Sequence, residues 1–374
     1  MSDLVVLSHL RWVFVWQRPQ HVISRLAARR PRTWFVEEPL AAVGVEEPTL
    51  RTAQHGAVTR VWLEVPGPER HIDFSDDEAG IYGAELEKLL GSSTERTVWL
   101  YTPLAYDLAC TIGSDVLVYD AMDDLASFKG APAGLRTAQK ATLEAADVVF
   151  AGGRSLFWSL RAERPDAHLL PSGVEPEHYA VDRPPRPDEQ RPVAGYVGVI
   201  DERIDLDLVA ELAYSLPDWE IRMVGPVLKI DPELLPQAPN ITYPGPKRYE
   251  ELPRVMAEFD VALMPFALNE ATRSISPTKT LECLAAGLPV VSTRVRDVVA
   301  DYGTVVRLGD DGFDFADACR AELRSDGEDR RRKVEPLLRL HHWDAIAARM
   351  AALIEEASAA GRRAAVRVGA ERAG

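Results

Sequence analysis

Short apolar runs alternate with helical stretches along this chain, and the same alternation occurs in both halves. The apolar runs are nearly continuous, which is typical of parallel strands that are buried on both faces of a sheet. Parallel strands need helical crossovers, so the pattern predicts the α/β class, with one sheet in each half. The predicted strands span residues 4–8, 33–36, 58–63, 98–101, 116–119, 148–151, 168–170, 193–200, 220–224, 241–243, 261–265, 289–292 and 305–307.

A proline-rich segment separates the two halves. Its prolines are Pro184, Pro185, Pro187 and Pro192. Such a composition is typical of an extended, solvated connection. We therefore expect an N-terminal domain over residues 1–180, a linker over 181–192 and a C-terminal domain over 193–359, and a long surface loop within one domain is the alternative. The Ala- and Arg-rich tail, residues 360–374, is expected to fray or to be disordered.

Charge and cysteine usage narrow the function classes. The 374 residues carry 43 Lys and Arg against 58 Asp and Glu, a net charge of −15, which argues against general nucleic-acid binding. The cysteines, Cys110, Cys283 and Cys319, lie far apart without disulfide or zinc spacing, which favours a reducing compartment. The N-terminus leads directly into an apolar strand, and no apolar run reaches about 18 residues. We therefore expect a cytoplasmic protein without a signal peptide or a spanning helix.

Residues 276–293 form the most informative motif, because they predict a loop, a helix N-terminus, a glycine turn and a buried strand in succession. Lys279 and Glu282 are three positions apart and share one face of that helix. Free N–H groups and the positive end of the helix dipole suit a phosphate there. A carboxylate one turn further in can accept hydrogen bonds from paired sugar hydroxyls. The motif predicts a nucleoside diphosphate pocket, with Gly287 as the left-handed residue that ends the helix.

Residues 282–291 resemble the donor site of retaining GT-B glycosyltransferases of family 4, whose helix ends in the form E-A-x-A-x-G-x-P-V-V. The loop 277–282 is similar to the P-x-K-x-L-E loop of a subgroup that contains teichuronic-acid-type and related cell-surface sugar transferases. The resemblance implies that Glu282 holds the ribose of the nucleotide. The family usually has another Glu eight positions earlier, where this chain has Ser274.

Three further segments resemble the same family. Residues 8–21 are similar to its opening strand, aromatic-rich loop and Q-R-P-x-H helix start. Residues 171–175 are similar to its P-N-G-V-D junction near the hinge, and residues 240–245 to the strand and turn beside its nucleotide base. The resemblance implies a GT-B fold, in which two Rossmann-like β/α/β domains face each other across a deep cleft. It also implies that the acceptor binds to the N-terminal domain and the donor to the C-terminal domain.

The candidate donor site needs cations that stay charged, because a pyrophosphate carries about two negative charges. Arg203 follows the strand 193–200, near the position where the family commonly has an Arg and this chain has Val199. Arg273 precedes the Lys279 loop and could supply the missing charge. A solvated or salt-bridged surface residue is the alternative for each cation, and a plain turn is the alternative for Gly225. The predicted donor-binding residues are Arg203, Arg273, Ser276, Thr278, Lys279, Glu282 and Gly225.

Side chains that follow two N-terminal strands are the candidates for the acceptor half. A carboxylate just beyond a strand end can orient a hydroxyl group, and the three carboxylates of Asp120, Asp123 and Asp124 also suit a divalent ion. Because the family generally needs no chelated metal, we prefer hydroxyl orientation and predict no metal and no cofactor beyond the donor. Helix capping by Asp123 or Asp124 and core packing by Trp12 and Trp16 are the alternatives. The predicted acceptor-binding residues are Arg18, His21, Trp12 and Asp120, and the predicted catalytic residues are Asp123 and His9.

A row of arginines near the N-terminus suggests a weak membrane contact. Its members are Arg25, Arg29, Arg30 and Arg32. They could touch anionic phospholipid or a lipid-linked acceptor at the inner membrane face. A solvated helix face is the alternative.

The hypothesis from the sequence is a glycosyltransferase that moves a hexose-type sugar from a nucleoside diphosphate sugar to a hydroxyl acceptor with retention. A glycan, a lipid-linked molecule or a small molecule would serve as acceptor. No nucleophile or general-base motif stands out, which agrees with the front-face attack often described for the family. Two alternatives stay open, a nucleotide-sugar 2-epimerase of similar fold and a catalytically silent protein that binds a sugar nucleotide or a partner. The base, the sugar, the acceptor, the linkage and the oligomeric state are left open.

Overall fold

In the computed structural model of the protein, the described residues are 2–92, 95–127, 131–132, 134–182, 187, 189–273, 275, 278–325 and 327–373. These residues divide into two compact units. The N-terminal unit comprises the chain up to Gly152, Leu156–Leu170 and the chain from Asp344 onward. The C-terminal unit comprises Gly153–Ser155 and Pro171–Trp343.

A sheet of nine described strands forms the centre of the N-terminal unit. They are β1 (Asp3–Ser8), β2 (Thr33–Glu37), β3 (Leu40–Ala42), β4 (Thr49–His55), β5 (Val58–Pro66), β6 (Arg96–Leu100), β7 (Val116–Ala121), β8 (Val148–Ala151) and β9 (His168–Leu169). Their order is β3-β5-β2-β1-β6-β7-β8-β9, with parallel neighbours throughout, and β4 forms an antiparallel pair with β5. All of β1 is buried, as expected of a central strand that is covered on both faces.

The C-terminal unit is built on a second sheet, of six described strands. They are β10 (Val193–Val197), β11 (Glu220–Val224), β12 (Ile241–Thr242), β13 (Val261–Met264), β14 (Val290–Ser292) and β15 (Arg307–Leu308). Their order is β12-β11-β10-β13-β14-β15, and every pair is parallel. The loops that follow these strands therefore lie at one edge of the sheet, where ligands of open α/β sheets bind.

The strands are connected mainly by α-helices. The described helices are α1 (Arg18–Ala27), α2 (Ala79–Leu90), α3 (Tyr106–Ile112), α4 (Leu135–Ala145), α5 (Arg154–Arg161), α6 (Pro176–Tyr179), α7 (Leu206–Ser215), α8 (Leu252–Ala257), α9 (Thr278–Ala285), α10 (Arg296–Tyr302), α11 (Gly312–Leu323), α12 (Glu328–Leu340) and α13 (Trp343–Ala373). Helices α5 and α13 each begin in the C-terminal unit and continue in the N-terminal unit. No helix in the described part of the chain combines the length and apolarity that a bilayer crossing requires.

Each unit has a hydrophobic core of its own. In the N-terminal unit, Phe74 and Tyr82 are at most 1% exposed and stack at a ring-centroid distance of 6.2 Å. In the C-terminal unit, Phe259 is 1% exposed and packs against Gly195 of β10. A Cβ added to Gly195 would lie 2.3 Å from that ring, so only glycine fits there. The glycine therefore serves core packing.

Every predicted strand is present, and the observed ends differ from the predicted ones by at most three residues. Strands β3 and β4 were not predicted from the sequence. Strand β4 has no fully buried residue, so it lacks the apolar alternation by which a half-buried strand is identified. It forms because β5 offers it an antiparallel partner.

The bounds of the observed units differ from those of the predicted domains. The C-terminal unit begins at Pro171 and includes α6, which we expected in the N-terminal domain. Residues 344–359, which we expected in the C-terminal domain, belong to the N-terminal unit. The chain is helical to Ala373, where fraying or disorder was expected beyond residue 359. Met350 and Ile354 of α13 are at most 1% exposed, so a buried stripe anchors the helix and its alanines and arginines favour continuation. Of the expected linker, residues 183–186 and 188 lie outside the described residues.

Candidate functional site

Helix α9 carries the central pair of the candidate site, and its ends are well defined. It begins at Thr278, and the N–H groups of its first turn have no partner within the helix. At the other end, Gly287 has a left-handed φ of +73°. Gly287 N donates to Leu284 O and Leu288 N donates to Cys283 O, both at 3.0 Å. This Schellman arrangement confirms the predicted role of Gly287 and turns the chain toward β14.

Lys279 and Glu282 lie on the same face of α9, as predicted. Lys279 Nζ is 3.0 Å from Glu282 Oε2, and the two side chains are 28% and 10% exposed. Because both groups are largely removed from water, their attraction is less screened than that of an exposed pair. Thr278 occupies the first helical position beside them, and Ser276 lies outside the described residues.

Arg203 lies in the loop after β10, and its side chain is held by a neighbouring carboxylate. Its Nε and Nη2 donate to Asp201, which is 4% exposed, at 2.7 to 3.1 Å. The Arg203 carbonyl accepts a hydrogen bond of 2.9 Å from Ala267 N, in the loop after β13. Asn269 Nδ2 in that second loop donates to Glu202 O at 2.9 Å. The structure therefore joins the Arg203 loop to the loop that leads toward α9.

Gly225 directly follows β11, at a close approach of two backbones. Its φ is +152°, and an added Cβ would lie 1.8 Å from the carbonyl oxygen of Gly198, which follows β10. Gly198 N in turn donates to Val224 O at 2.9 Å. Glycine is required at residue 225 because only a backbone without a side chain allows the two strand ends to meet.

Arg273 lies in a more exposed setting than the other predicted cations. Its side chain is 66% exposed and lies 3.4 Å from Glu270, which is 75% exposed. This is the salt-bridged surface cation that the sequence analysis held as the alternative. An exposed pair of this kind contributes little to stability, and donor binding by Arg273 stays a prediction.

Four side chains that the sequence analysis did not select lie together near α9. We call Glu175, His178, Tyr179 and Tyr249 the aromatic cluster. The Tyr249 hydroxyl donates to Glu175 Oε2 at 2.9 Å. The His178 ring stacks on Tyr249 with a centroid distance of 3.9 Å and an interplanar angle of 3°, and its Nε2 is 3.0 Å from Tyr249 O. Tyr179 packs perpendicular to Tyr249 at 6.3 Å.

The aromatic cluster borders Glu282. Helix α6, which carries Tyr179, packs against α9. Burial, followed by the negative charge of Glu282, raises the pKa of the Tyr179 hydroxyl well above its usual value. In the sequence, Glu175 ends the junction motif 171–175, but no pattern indicates that Tyr249, 74 positions later, meets it.

Arg18 and Asp120, predicted to bind the acceptor, instead hold each other inside the N-terminal unit. They are 2% and 0% exposed. Arg18 Nη2 and Nε donate to the Asp120 carboxylate at 2.8 to 3.2 Å, and Arg18 Nη1 donates to Leu170 O at 2.8 Å. A pair this deeply buried is a structural link between α1, β7 and the end of β9. This burial leaves neither side chain on a surface where an acceptor would bind.

Two of the predicted acceptor-binding residues are packed within the N-terminal unit. They are Trp12, in the loop after β1, and His21, in α1. Trp12 is 5% exposed, lies edge to face on Phe35 at 4.9 Å and donates its backbone N–H to Glu37 at 2.8 Å. Trp16 Nε1 is 3.3 Å from Nδ1 of His21, which is 3% exposed. Trp12 is therefore packed in the core, which was the alternative to acceptor binding. His21 lies beside Trp16 as its partner.

The two predicted catalytic residues remain candidates. His9 follows β1 and Asp123 follows β7, and both are half-buried. They therefore lie at the carboxyl edge of the N-terminal sheet. Within the described residues, no three His, Cys, Asp or Glu side chains come close enough together to hold a metal ion.

Most of the predicted arginine row is engaged within the N-terminal unit. Arg25 Nε is 2.5 Å from Asp344 Oδ1 of α13. Arg30 Nη1 donates to Ser2 O at 3.1 Å, and Arg32 pairs with Asp3. Arg29 is exposed. Carboxylates therefore pair with Arg25 and Arg32, and the lipid contact stays a prediction.

The comparisons with known proteins agree with this geometry. Residues 191–325, which lie in the C-terminal unit and include Lys279 and Glu282, match the family model described as Glycosyl transferases group 1. The chain is 29% identical over 199 residues to TuaH of Bacillus subtilis (strain 168), provisionally named a teichuronic acid biosynthesis glycosyltransferase. That alignment covers 50% of this chain, and the chain spans half the length of that relative.

Solved structures extend the likeness over nearly the whole chain. Sucrose-phosphate synthase from Thermosynechococcus elongatus has a TM-score of 0.70 at 16% identity and covers 96% of this chain and 100% of that one. Anabaena HepE in complex with UDP has a TM-score of 0.63 at 12% identity and covers 95% and 100%. At such identities the likeness shows the fold, which is GT-B, with two Rossmann-like units as predicted.

Proposed function

We propose that the protein transfers a sugar from a nucleoside diphosphate sugar to a hydroxyl acceptor and that its C-terminal unit holds the donor. The observation that carries the proposal is the largely buried Lys279–Glu282 pair in the first turns of α9. This pair follows the carboxyl edge of a parallel sheet, within the residues that match the group 1 family model. The HepE structure, which contains UDP, supports a nucleotide ligand for this fold.

Each residue of the pair has a distinct role in the proposal. Lys279 and the first-turn N–H groups of α9 bind the diphosphate, because both present positive charge to an anion. Glu282 accepts hydrogen bonds from the vicinal ribose hydroxyls. Arg203 adds charge at the same sheet edge, oriented by Asp201. These cations stabilise the diphosphate as negative charge develops on it during departure.

The finer points of the reaction are part of the same proposal. The resemblance of residues 282–291 to retaining enzymes supports retention, with the departing phosphate taking the proton of the acceptor hydroxyl. His9 and Asp123 orient that hydroxyl from the N-terminal unit. The name of the TuaH relative supports an acceptor that belongs to the biosynthesis of a polymer such as teichuronic acid. A cytoplasmic location and independence from metal are further parts of the proposal and rest on the resemblance to family 4. The 2-epimerase and silent-binder alternatives gain no support from the comparisons.

Thermal shift with ADP, GDP, UDP and their sugar conjugates tests the donor site. At least one nucleotide should raise the Tm, because a ligand that binds only the folded state stabilises it by about 2.7 kcal/mol at 100 times its Kd. Lys279→Ala should weaken diphosphate binding by about tenfold or more, and Glu282→Ala should weaken nucleosides as well as nucleotides. The pair Lys333 and Asp329 on α12, with side chains 52% and 67% exposed, supplies matched controls. Lys333→Ala and Asp329→Ala should leave the ligand-induced shift unchanged.

Two outcomes would contradict the proposal. Equal shifts in the wild type, Lys279→Ala and Glu282→Ala would show that the nucleotide binds elsewhere. Release of a 2-epimerised sugar without any acceptor would replace transfer by epimerisation. With an acceptor present, NMR of the product should show the anomeric configuration of the donor, and inversion would refute retention.

A further inference from the structure

The hydroxyl of Tyr179 is buried, and in the described part of the chain no group forms a hydrogen bond of good geometry with it, although Glu282 lies close. The residue is 1% exposed and forms the C-terminal end of α6. A buried hydroxyl that lacks a partner destabilises the folded state, and native proteins leave few of them. Phenylalanine would fill the same core position without that cost. The hydroxyl therefore needs an explanation outside core packing.

The surroundings of Tyr179 restrict the partner that its hydroxyl can have. Helix α6 packs against α9. After burial, the negative charge of the Glu282 carboxylate contributes most to the raised pKa of the hydroxyl. Tyr249 borders Tyr179 from another side, but its own hydroxyl already donates to Glu175 at 2.9 Å. Glu282 is 7% exposed. It borders this cluster and also pairs with Lys279. An acceptor for the Tyr179 proton is thus available on α9.

The short helix α6 is held firmly enough to place this hydroxyl. His178 stacks on Tyr249 at 3.9 Å, and its Nε2 lies 3.0 Å from the Tyr249 carbonyl oxygen. The Tyr249–Glu175 hydrogen bond ties the start of the same helix to the same residue. Both ends of α6 are therefore fixed to Tyr249. A side chain on such a support loses little further freedom when it forms a hydrogen bond.

The state of the Lys279–Glu282 ion pair determines when the Tyr179 hydroxyl donates a hydrogen bond to Glu282. In the structure, Glu282 Oε2 has Lys279 Nζ as a partner at 3.0 Å. A diphosphate carries more negative charge than one carboxylate and attracts Lys279 toward itself. Glu282 then remains as a largely buried anion that has lost a cationic partner, a costly state unless another donor replaces it. The Tyr179 hydroxyl can supply that hydrogen bond.

We propose that Tyr179 is a positioning residue for Glu282. When a nucleoside diphosphate engages Lys279, the Tyr179 hydroxyl donates to the Glu282 carboxylate and holds it toward the vicinal hydroxyls of the ribose. This inference rests on the proposed function of the Lys279–Glu282 site. It assigns the aromatic cluster the task of keeping α6 in place for that contact.

The variant Tyr179→Phe removes only the hydroxyl and tests the proposal. Its Tm without ligand should equal or exceed that of the wild type, because the free protein has no hydrogen bond of good geometry at this hydroxyl. Calorimetric titration should show UDP binding weakened about tenfold, the usual effect of losing one hydrogen bond to a charged group. Inorganic pyrophosphate, which lacks the ribose, should bind both proteins within about twofold. ADP and GDP serve in the same way if either stabilises the wild type more than UDP does.

The dideoxy analogue separates positioning from structural damage. The 2′,3′-dideoxynucleoside diphosphate has no vicinal hydroxyls for Glu282, so Tyr179→Phe and the wild type should bind it with equal affinity. A general distortion of the site would weaken the dideoxy ligand as well. Tyr302→Phe is the matched control, because Tyr302 is a 5% exposed tyrosine of the same unit at the end of α10. This control should leave the affinities for all ligands unchanged.

The possible failures are distinct. If Tyr179→Phe binds the nucleotide as the wild type does, or loses the dideoxy ligand equally, the positioning role is refuted and the donor site stands. If the wild type binds no nucleoside diphosphate, the proposed function fails and the inference falls with it. A Tm well below that of the wild type would also overturn the claim, since it would assign the hydroxyl a role in the free protein.

Discussion

At the scale of single residues, burial decides which polar side chains are structural and which remain available. Arg18 and Asp120 have residue types that suit ligand binding, yet they are 2% and 0% exposed and bind each other. Lys279 and Glu282 also pair, but the Lys279 side chain keeps 28% exposure at a helix N-terminus. The difference between the two pairs is access to a ligand, and residue type alone does not reveal it.

Removal of Asp120 should lower the free energy of unfolding, because it leaves a buried charge unpaired. Asp120→Ala leaves the Arg18 guanidinium in the core without its counter-charge, and we expect the free energy of unfolding to fall by about 3–5 kcal/mol. Urea unfolding measures this change. Asp317→Ala removes a carboxylate that is 83% exposed from a surface pair with Arg320 and should have no measurable effect. Equal stabilities of the Asp120 variant and the wild type would show that Arg18 finds another partner.

Glu38 should make the stability depend on pH. Burial, followed by the charge of Asp73, raises the pKa of Glu38 from its ordinary 4.5 to about 8. The folded protein thus binds this proton more tightly than the unfolded chain. Its free energy of unfolding should therefore fall as the pH rises from 4.5 to about 8.

The variant Glu38→Gln isolates that effect, because its amide stays uncharged throughout. Over the same pH window the wild type should lose stability relative to the variant, on the order of a few kcal/mol. Urea unfolding at several pH values measures the difference, with Glu46→Gln at an exposed position as control. A pH-independent difference between wild type and Glu38→Gln would mean that Glu38 titrates normally.

At the scale of elements, the site depends on how strand ends and helix ends meet. The loop after β10 is joined to the end of β11 by the Gly198–Gly225 contact and to the loop after β13 by the Arg203–Ala267 hydrogen bond. Helix α9 starts after that second loop and is closed by the Gly287 turn. Three parallel strands thus share one edge whose loops are fixed to one another. This geometry makes the edge rigid enough to present charged groups to a ligand.

Gly225→Ala should disturb that edge. The new Cβ would lie 1.8 Å from Gly198 O at a φ of +152°, so the strand ends must separate. We expect a loss of about 2 kcal/mol or more in the free energy of unfolding, together with weaker nucleotide binding. Gly80→Ala is the matched control, because a Cβ on Gly80 in α2 would have no atom within 4 Å. That change should stabilise the protein by about 0.5–1 kcal/mol, and an equally tolerated Gly225→Ala would disprove the close approach.

At the scale of the whole molecule, the two units follow the GT-B plan, although their cores and sheets differ. The N-terminal sheet includes the antiparallel β4, whereas every pair of the C-terminal sheet is parallel. The chain has a net charge of −15, whereas the candidate site depends on cations. Local placement of Lys279 at a helix N-terminus is therefore what makes anion binding feasible in an acidic protein.

Much of the fold and the centre of the candidate site followed from local patterns. Strand and helix periods depend on neighbours within a few positions, so the parallel strands and the shared face of Lys279 and Glu282 were predictable. The glycine turn at Gly287 was predictable for the same reason, since its requirement for a left-handed backbone lies within the turn itself.

Tertiary structure alone decided which distant residues meet. Arg18 and Asp120 are 102 positions apart, Tyr249 and Glu175 are 74 apart, and Arg25 and Asp344 are 319 apart. Burial, shape and the need to pair each desolvated polar group determine these partners. None of these factors produces a fixed number of residues between the partners in the sequence. The same packing assigned α13 to the N-terminal unit, placed Arg273 in an exposed surface pair and brought Tyr179 beside Glu282.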